Sequence, residues 1–308
     1  MADRRLQVFH AVAKHLSFTK AADALSMTQP AVTFQIRQLE EHFNARLFDR
    51  AQGRISLTAA GVVVLEYSTR ILALSAELDT RMKDMSGQLA GTLLIGASTT
   101  IADFLLPQVL GEFKSRHSGI VPRLIVANSE IVQDRVAERT LDLGFIEGDS
   151  HRPTLQADVC CDDELEVVCA PSHPLAKLRF ALPTSLTEHA YVGREQGSGT
   201  REVVDRYLQA AGVPPDSLAV FMELGSPEAL KRLVATGLGF TIMSRATVAK
   251  ETRLGELVHI PLEPRLVRNL SVVYPKERIQ SLLVARFVEF AKLRLAALQA
   301  GATAVLDR

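Results

Sequence analysis

The sequence predicts an α/β protein with an all-α N-terminal domain, a long linker helix and a two-lobed α/β body. Three observations indicate this class. A three-helix pattern fills residues 6–43, no glycine or proline interrupts residues 62–86, and strand and helix patterns alternate from residue 92 onwards. A chain of 308 residues is also too long for one ordinary core, so several domains are expected.

Composition and charge describe a folded globular chain. Hydrophobic residues make up 47% and charged residues 23%, and there is no apolar run of about eighteen residues that would span a membrane. Because the N-terminus does not begin a signal peptide, we expect a cytoplasmic location and no membrane partner. The net charge is zero, yet residues 1–58 hold eight basic and five acidic side chains. That excess suits a nucleic-acid-binding head, although ordinary solvated surfaces also carry it.

The cysteines and catalytic motifs give no sign of a disulfide framework, a metal site or an enzyme. Cys160, Cys161 and Cys169 form no C-x-x-C pair and no histidine lies at metal spacing. They are expected to be small apolar strand residues, with a thiol sensor as the alternative. There is no Walker loop, nucleophile elbow or H-E-x-x-H motif. The sequence therefore predicts no catalytic residue, no metal and no cofactor.

Three compact helices begin the chain. In the first, apolar residues recur at three- and four-residue spacing: Leu6, Phe9, Val12, Ala13 and Leu16. Ser17 or Thr19 can cap the second helix, and Thr28 can cap the third. The third helix is expected to bury one stripe, which consists of Val32, Ile36, Leu39 and Phe43. Two helices joined by a short turn, the second polar on its outer face, describe a helix-turn-helix.

The outer face of the third helix carries side chains that suit the DNA major groove, where Gln and Arg read base edges and Thr or Phe can touch a thymine methyl. We expect contacts from Thr28, Gln29, Pro30, Thr33, Phe34, Arg37 and Gln38. A hairpin, or wing, is expected at residues 47–57, and it places Arg50 and Arg54 near the phosphate backbone. An ordinary three-helix core with a surface hairpin explains each piece but not their order.

One residue pattern runs through the whole head. It consists of Leu6-x-x-Phe9-x-x-Val12, Ser17-Phe18-Thr19-x-Ala21-Ala22-x-x-Leu25, Gln29-Pro30-Ala31-Val32, Gln35-Ile36, Leu39-Glu40, Leu47-Phe48-x-Arg50 and Leu57-Thr58-x-Ala60-Gly61. With this pattern, residues 6–61 resemble the winged helix-turn-helix of LysR-type transcriptional regulators. Two positions depart from it, since Asn44 stands where glycine is usual and Phe34 where a polar or basic side chain is common. The second departure concerns base preference rather than DNA binding.

The resemblance implies domain boundaries and an assembly. The implied domains are a winged helix-turn-helix DNA-binding domain at 1–61, a linker and dimerisation helix at 62–88, and an effector-binding domain at 90–308. The effector domain would be a two-lobed, periplasmic-binding-protein-like (type II) fold. Its lobe I would take residues 92–163 and 269–300, and its lobe II residues 165–266. A homodimer or a dimer of dimers is implied, with RNA polymerase as a further partner.

Residues 62–86 also predict dimerisation from their own pattern, because two apolar faces flank narrow polar strips. One face holds Val62, Leu65, Leu72, Ala73 and Ala76, and the other holds Val64, Tyr67, Ile71, Leu74, Leu78, Met82 and Met85. Such a helix needs neighbours on both sides. One side can pack on its own head and the other on a second subunit, although a buried core helix would show the same pattern.

Strands and helices alternate in the body. Strands are expected at 93–97, 123–126, 143–146, 166–170, 190–193, 220–224, 239–243 and 270–274, and helices at 101–116, 130–139, 200–211, 227–235 and from 281. This alternation predicts parallel sheets covered by helices, and the two groups of elements predict two lobes. The chain is expected to cross between the lobes near residues 162–166 and 265–269.

Loops after these strands carry the chemistry of an anion site. Ligands of parallel α/β lobes bind beyond the carboxyl ends of strands, where glycines allow close approach and hydroxyls and helix N-termini donate hydrogen bonds. The expected effector-binding residues are Ser98, Thr99, Thr100, Ser129, Glu147, Ser198, Gly199, Thr200, Arg201 and Glu223. Helix capping is the commoner reason for Ser and Thr in such loops. Arg201 can complete the anion site or pair with a nearby carboxylate, namely Glu195, Glu202 or Asp205.

These patterns together predict a sequence-specific DNA-binding transcription regulator of LysR type, modulated by a small anionic effector between two lobes. Its partners would be double-stranded promoter DNA, that effector and further copies of the chain. Residues 144–148, 197–202 and 223–231 are similar to a YeiE-like branch, related branches of which govern sulfur assimilation and carbon fixation. The alternatives are an effector-independent or thiol-sensing regulator and, from other classes, a solute-binding protein or a metabolic enzyme. The effector, the target genes and the choice between activator and repressor stay open.

Overall fold

A computed structural model describes residues 3–51, 54–85, 89–276 and 281–306. The chain forms two compact units, Met1–Gln88 and Leu89–Arg308. The expected fold class, an all-α winged head and a two-lobed α/β body, is confirmed.

The N-terminal unit is built on three helices: α1 (Arg4–His15), α2 (Phe18–Ala24) and α3 (Gln29–Phe43). The backbone N–H of Lys20 donates to the Ser17 hydroxyl, which caps α2. The core holds the expected stripes except at two positions. Leu16 and Phe43 are 50% and 46% exposed because each lies at the end of its helix, where a left-handed residue turns the chain.

A two-stranded hairpin follows, formed by β1 (Phe48–Ala51) and β2 (Arg54–Leu57). Its register pairs Asp49 with Ser56. The Thr58 hydroxyl donates to the Arg46 carbonyl at 2.7 Å and accepts from the Gly61 N–H at 2.9 Å. A Cβ at Gly61 would lie 2.1 Å from the Leu47 carbonyl oxygen, so only glycine permits this close passage.

The long helix α4 (Ala59–Met85) completes the N-terminal unit. Near its start, Val64 and Leu65 are half-buried against the head core. Further along, one stripe of large apolar side chains is exposed within this chain, and it consists of Tyr67, Ile71, Leu74 and Leu78. Of the two predicted apolar faces, Ala73 and Ala76 on one and Met82 and Met85 on the other lie outside the described side chains.

The C-terminal unit alternates strands and helices. The strands are β3 (Gly91–Ala97), β4 (Ile120–Val126), β5 (Leu143–Glu147), β6 (Leu155–Cys169), β7 (Ala190–Arg194), β8 (Ala219–Leu224), β9 (Phe240–Ser244), β10 (Val258–Ile260) and β11 (Leu266–Pro275). The helices are α5 (Thr99–Phe104), α6 (Leu106–Arg116), α7 (Ser129–Ala137), α8 (Gly199–Ala210), α9 (Pro227–Val234), α10 (Ala249–Arg253) and α11 (Leu282–Leu306). The helix expected at 101–116 is divided because Pro107, in the first turn of α6, cannot donate the hydrogen bond of a continuous helix.

Within the described residues the strands form one mixed sheet in the order β4-β3-β5-β11-β6-β9-β7-β8, with β10 beside β6. The outer strands pair in parallel, as expected, but the centre is antiparallel. There β11 pairs with β6 from Leu266 opposite Leu165 to Pro275 opposite Leu155. The prediction of parallel sheets was therefore wrong at the centre, because β6 runs from the first lobe into the second and pairs antiparallel with both β11 and β9.

Each lobe of the C-terminal unit has its own main core. One core packs Phe113, Phe145 and Phe287 together, and the other packs around Phe240 and Leu208. The long strands β6 and β11 contribute to both cores. The chain passes from the first core to the second along β6 and returns along β11, which places the ends of strands from both lobes beside one another.

Candidate DNA interface and effector site

The outer face of α3 presents the polar residues that the sequence predicts for DNA. The exposed ones are Thr28, Gln29, Pro30, Phe34, Arg37 and Gln38. Thr33 is half-buried, and its hydroxyl accepts a hydrogen bond from the Gln29 amide at 3.1 Å. Phe34 is 56% exposed, which is a high exposed fraction for an aromatic side chain. The face therefore combines base-reading groups with one apolar contact.

Glu40 joins the recognition helix to the hairpin. Its carboxylate accepts from the backbone N–H of Leu47 at 2.8 Å and of Phe48 at 3.4 Å. The hairpin register places Arg50 opposite Ile55 and Arg54 opposite Ala51. The side chains of Arg50 and Arg54 lie outside the described part of the chain, so their phosphate contacts stay a prediction.

Asn44 keeps the turn that glycine usually makes. Its φ of 46° lies in the left-handed region, which asparagine tolerates better than most residues. The departure from the family pattern therefore leaves the end of α3 unchanged.

In the C-terminal unit, predicted effector residues from both lobes converge on one carboxylate. The Ser98 hydroxyl donates to Glu147 Oε1 at 3.2 Å, and the Thr200 hydroxyl donates to Oε2 at 2.8 Å. The backbone N–H of Glu147 donates to the Ser129 hydroxyl at 3.2 Å. Because Ser98, Ser129 and Glu147 belong to lobe I and Thr200 lies in the first turn of α8 in lobe II, this contact joins the two lobes.

An arginine that the sequence analysis missed completes this arrangement. Arg268 Nη1 lies 3.1 Å from Glu147 Oε2 and donates to the Thr200 hydroxyl at 2.8 Å. Its Nε and Nη2 contact Asp163 Oδ2 at 2.9 and 2.8 Å, and the Ser244 hydroxyl donates to Oδ1 of Asp163 at 2.6 Å. We call these residues the Glu147 cluster: Ser98, Thr100, Ser129, Glu147, Asp163, Thr200, Ser244 and Arg268.

A second missed arginine bridges the lobes. Arg194 is 5% exposed, and its Nη2 donates to the Thr99 hydroxyl at 3.0 Å. Its Nε donates to the Glu195 carboxylate at 2.9 Å. Arg201 lies outside the Glu147 cluster and donates to Glu223 at 2.7 Å, with both side chains more than a third exposed. The cations beside the predicted anion site are therefore Arg268 and Arg194.

The electrostatics of the site keep Glu147 ionised. Burial alone would raise the pKa of its carboxyl. The positive charges of Arg268 and Arg194, with hydrogen bonds from Thr100 and Thr200, outweigh burial and lower the pKa to about 2.

The start of α8 approaches lobe I very closely. A Cβ at Gly199 would lie 2.3 Å from the Glu147 carbonyl oxygen and 2.8 Å from the Ser129 hydroxyl, so this position requires glycine. Beside it, the Ser198 hydroxyl is buried and has no hydrogen-bond partner within the described residues. A buried hydroxyl without a partner is costly, and it leaves a donor available at this point of the cleft.

The three cysteines lie in or beside the cores. Burial raises the pKa of Cys160 and Cys169 to about 11 and that of Cys161 to about 12. A raised pKa suppresses the thiolate that reacts with oxidants. Across the described residues, no group of three potential ligand side chains is arranged to hold a metal ion. In the same ranges, no helix has the length and apolar content to cross a membrane.

The fold and the two sites define a DNA-binding transcription regulator with a separate ligand-binding body, and comparison with known families identifies which kind. Residues 4–62 match the bacterial regulatory helix-turn-helix protein, LysR family, and residues 86–296 match the LysR substrate binding domain. The chain belongs to the LysR family of transcriptional regulators.

One relative and two solved structures extend this result. The chain is 34% identical over 281 residues to a probable RuBisCO transcriptional regulator of Porphyra purpurea, covering 90% of this chain and 89% of that protein. The regulatory domain of Synechocystis PCC6803 CcmR, in complex with 2-PG, is 28% identical with a TM-score of 0.61 and covers 66% of this chain and 96% of that one. Full-length CbnR complexed with its target DNA is 22% identical with a TM-score of 0.67, covering 96% and 100%, which shows a shared fold.

The buried ion pairs predict a strong stability effect. Arg268→Ala leaves Glu147 and Asp163 buried without their cation, so it should lower the free energy of unfolding by about 3–5 kcal/mol. The exposed pairs of Arg206 provide the control, and Arg206→Ala should cost under about 1 kcal/mol. Urea unfolding at pH 7 measures both. Equal, small losses would mean that the Arg268 network contributes little.

The raised thiol pKa values predict slow thiol chemistry. In the native chain at pH 8, Cys160, Cys161 and Cys169 should react with a disulfide reagent about a hundredfold more slowly than in the urea-unfolded chain. Stopped-flow absorbance with a chromogenic disulfide measures the rates. One thiol that reacts as fast in the native chain as after unfolding would favour the thiol-sensing alternative.

Proposed function

We propose that the chain is a sequence-specific regulator that reads promoter DNA with α3 and the β1–β2 hairpin. The observation that carries this proposal is the exposed polar face of α3. Gln29, Arg37 and Gln38 lie on this face, and the opposite face of the helix is buried in the core. A helix of this kind fits the major groove, and amide and guanidinium groups there distinguish base pairs. Arg50 and Arg54 on the hairpin would contact phosphates.

The effector is proposed to be a small anion bound in the cleft between the lobes of the C-terminal unit. Hydroxyls and arginines of both lobes meet around the Glu147 cluster, which is the chemistry of a carboxylate, sulfate or phosphate site. Because ligands bound by both lobes favour one arrangement of those lobes, occupancy can alter DNA control. The 2-PG bound to the CcmR regulatory domain supports this class of ligand.

The target genes are proposed to include those for carbon fixation. The support is the relative named a probable RuBisCO transcriptional regulator, which matches nearly the whole chain. Membership of a YeiE-like branch and contact with RNA polymerase stay predictions. The raised pKa values of the cysteines argue against the thiol-sensing alternative.

A dimer through α4 is proposed from its exposed apolar stripe. Tyr67, Ile71, Leu74 and Leu78 lie four, three and four residues apart, so they share one side of the helix. Exposure of that many large apolar side chains in a row is typical of a surface that a second subunit covers. The family resemblance extends this to a dimer of dimers.

Base reading can be separated from phosphate contact. On a DNA site selected by the wild-type chain from a random library, Gln29→Ala and Arg37→Ala should each weaken binding by about 1–3 kcal/mol while sparing random DNA. Arg54→Ala should weaken both DNAs alike and reduce the salt slope by about 1. Gel shifts over a salt series measure this, with exposed Arg253→Ala as the control.

If no sequence is enriched by the selection, the sequence-specific function is refuted. If Gln29→Ala and Arg37→Ala weaken random DNA as much as the selected site, their assignment to base edges fails.

The apolar stripe predicts an oligomer that one charge disrupts. Leu74→Asp would bury an unpaired charge in the dimer and should raise the dimer dissociation constant at least about a hundredfold. Thr69→Asp adds the same charge on the opposite side of α4, where the residue is exposed, and should leave the dimer intact. Sedimentation velocity measures the assembly. Unchanged assembly of the Leu74→Asp chain would show that this stripe is not the interface.

A further inference from the structure

The predicted anion position between the lobes is occupied by a carboxylate of the protein itself, that of Glu147. The carboxylate of Glu147 is 1% exposed and accepts hydrogen bonds from Ser98 and Thr200. It also pairs with Arg268 at 3.1 Å. The donors that the sequence predicts for an external anion are therefore directed at an internal one.

The charges around Arg268 disfavour a second anion beside Glu147. Arg268 and Arg194 are the cations, and Glu147, Asp163 and Glu195 are the carboxylates paired with them or close to them. Two cations against three carboxylates leave the group net negative. An incoming anion would add another buried negative charge, which is unfavourable unless a carboxylate leaves.

Glu147 is the carboxylate that can leave. Asp163 accepts from two nitrogens of Arg268 and from Ser244, so Arg268 keeps a partner when Glu147 departs. Glu147 is the last residue of β5, and the chain turns away from the sheet at Gly148, whose φ is +82°. The Ser198 hydroxyl, which has no hydrogen-bond partner among the described residues, gives the cleft a donor that Glu147 does not use.

Resting on the proposed effector function, we propose that Glu147 is a tethered competitor. Its carboxylate fills the anion position of the cleft, and a small anion binds by exchanging with it beside Arg268. The exchange leaves the number of negative charges around Arg268 unchanged. Effector affinity is then the difference between two anions' interactions with the same donors, and the displaced Glu147 side chain distinguishes the liganded state.

Removing the carboxylate tests the exchange directly. In the full chain, Glu147→Ala and Glu147→Gln should bind inorganic phosphate, formate and 2-PG about ten- to a hundredfold more tightly than wild type, the range for losing hydrogen bonds to a charged group. The same anions should raise the melting temperature of Glu147→Ala by several degrees more than that of wild type. Calorimetry and thermal unfolding at matched ionic strength measure both effects.

Glu164→Gln is the matched control. It removes the same charge from a carboxylate that Arg265 holds at 2.7 and 2.6 Å, outside the Glu147 cluster, so its anion response should equal that of wild type. Equal or weaker anion binding by both Glu147 variants overturns the proposal, because Glu147 would then be a structural partner or a direct ligand contact.

Hydrogen exchange on the wild-type chain keeps the test valid if the Glu147 variants do not fold. With saturating phosphate, amides at 146–148 should exchange faster and those at 199–202 more slowly. If hydrogen exchange at 146–148 is unchanged while 199–202 become protected, the proposed displacement of Glu147 is wrong. Failure of the proposed effector function gives a different result, because no anion would then raise the melting temperature of any variant or slow exchange at 199–202.

Discussion

Arg268 cannot be buried alone, and its two carboxylate partners come from different strands. Asp163 lies directly opposite it on β6, and Glu147 ends the neighbouring β5. An unpaired charge at this depth would cost several kcal/mol, so β5, β6 and β11 are held in the register that brings all three groups together. Since β6 and β11 also link the two cores of the C-terminal unit, this interaction fixes where the lobes face each other.

The close approach at that point limits the residues around it. Gly199 has no space for a side chain against the Glu147 backbone, and Ser129 fits because its hydroxyl accepts the Glu147 N–H. Thr200 donates to one charged group while accepting from the other, which a valine of the same shape could not do. The hydroxyl-rich loops therefore satisfy a buried ion pair, and the same donors make the cleft suitable for an anion.

Local patterns predicted much of the fold, because helix stripes and capping residues act over a few positions. The outer face of α3 and the loops that carry Ser98, Ser129 and Thr200 were found in this way. Arg268 was missed because its partner Asp163 lies 105 residues earlier, and only the antiparallel register of β6 and β11 brings them together. A charged residue inside the apolar run from Leu266 to Tyr274 was the available signal. Arg201 was predicted for the anion site because it directly follows the Ser198–Thr200 loop, but it forms an ion pair with Glu223 at the surface.

An internal anion also changes how selectivity can arise in such a cleft. A ligand that reaches Arg268 but cannot accept from the hydroxyls of both lobes interacts less well than the carboxylate already present, so it does not displace Glu147. Binding is then decided by a difference between two similar interactions, which discriminates among anions more sharply than the total strength of either one. The same difference sets the upper limit on how far the ligand can shift the arrangement of the lobes, because no ligand can move an equilibrium by more than its differential affinity.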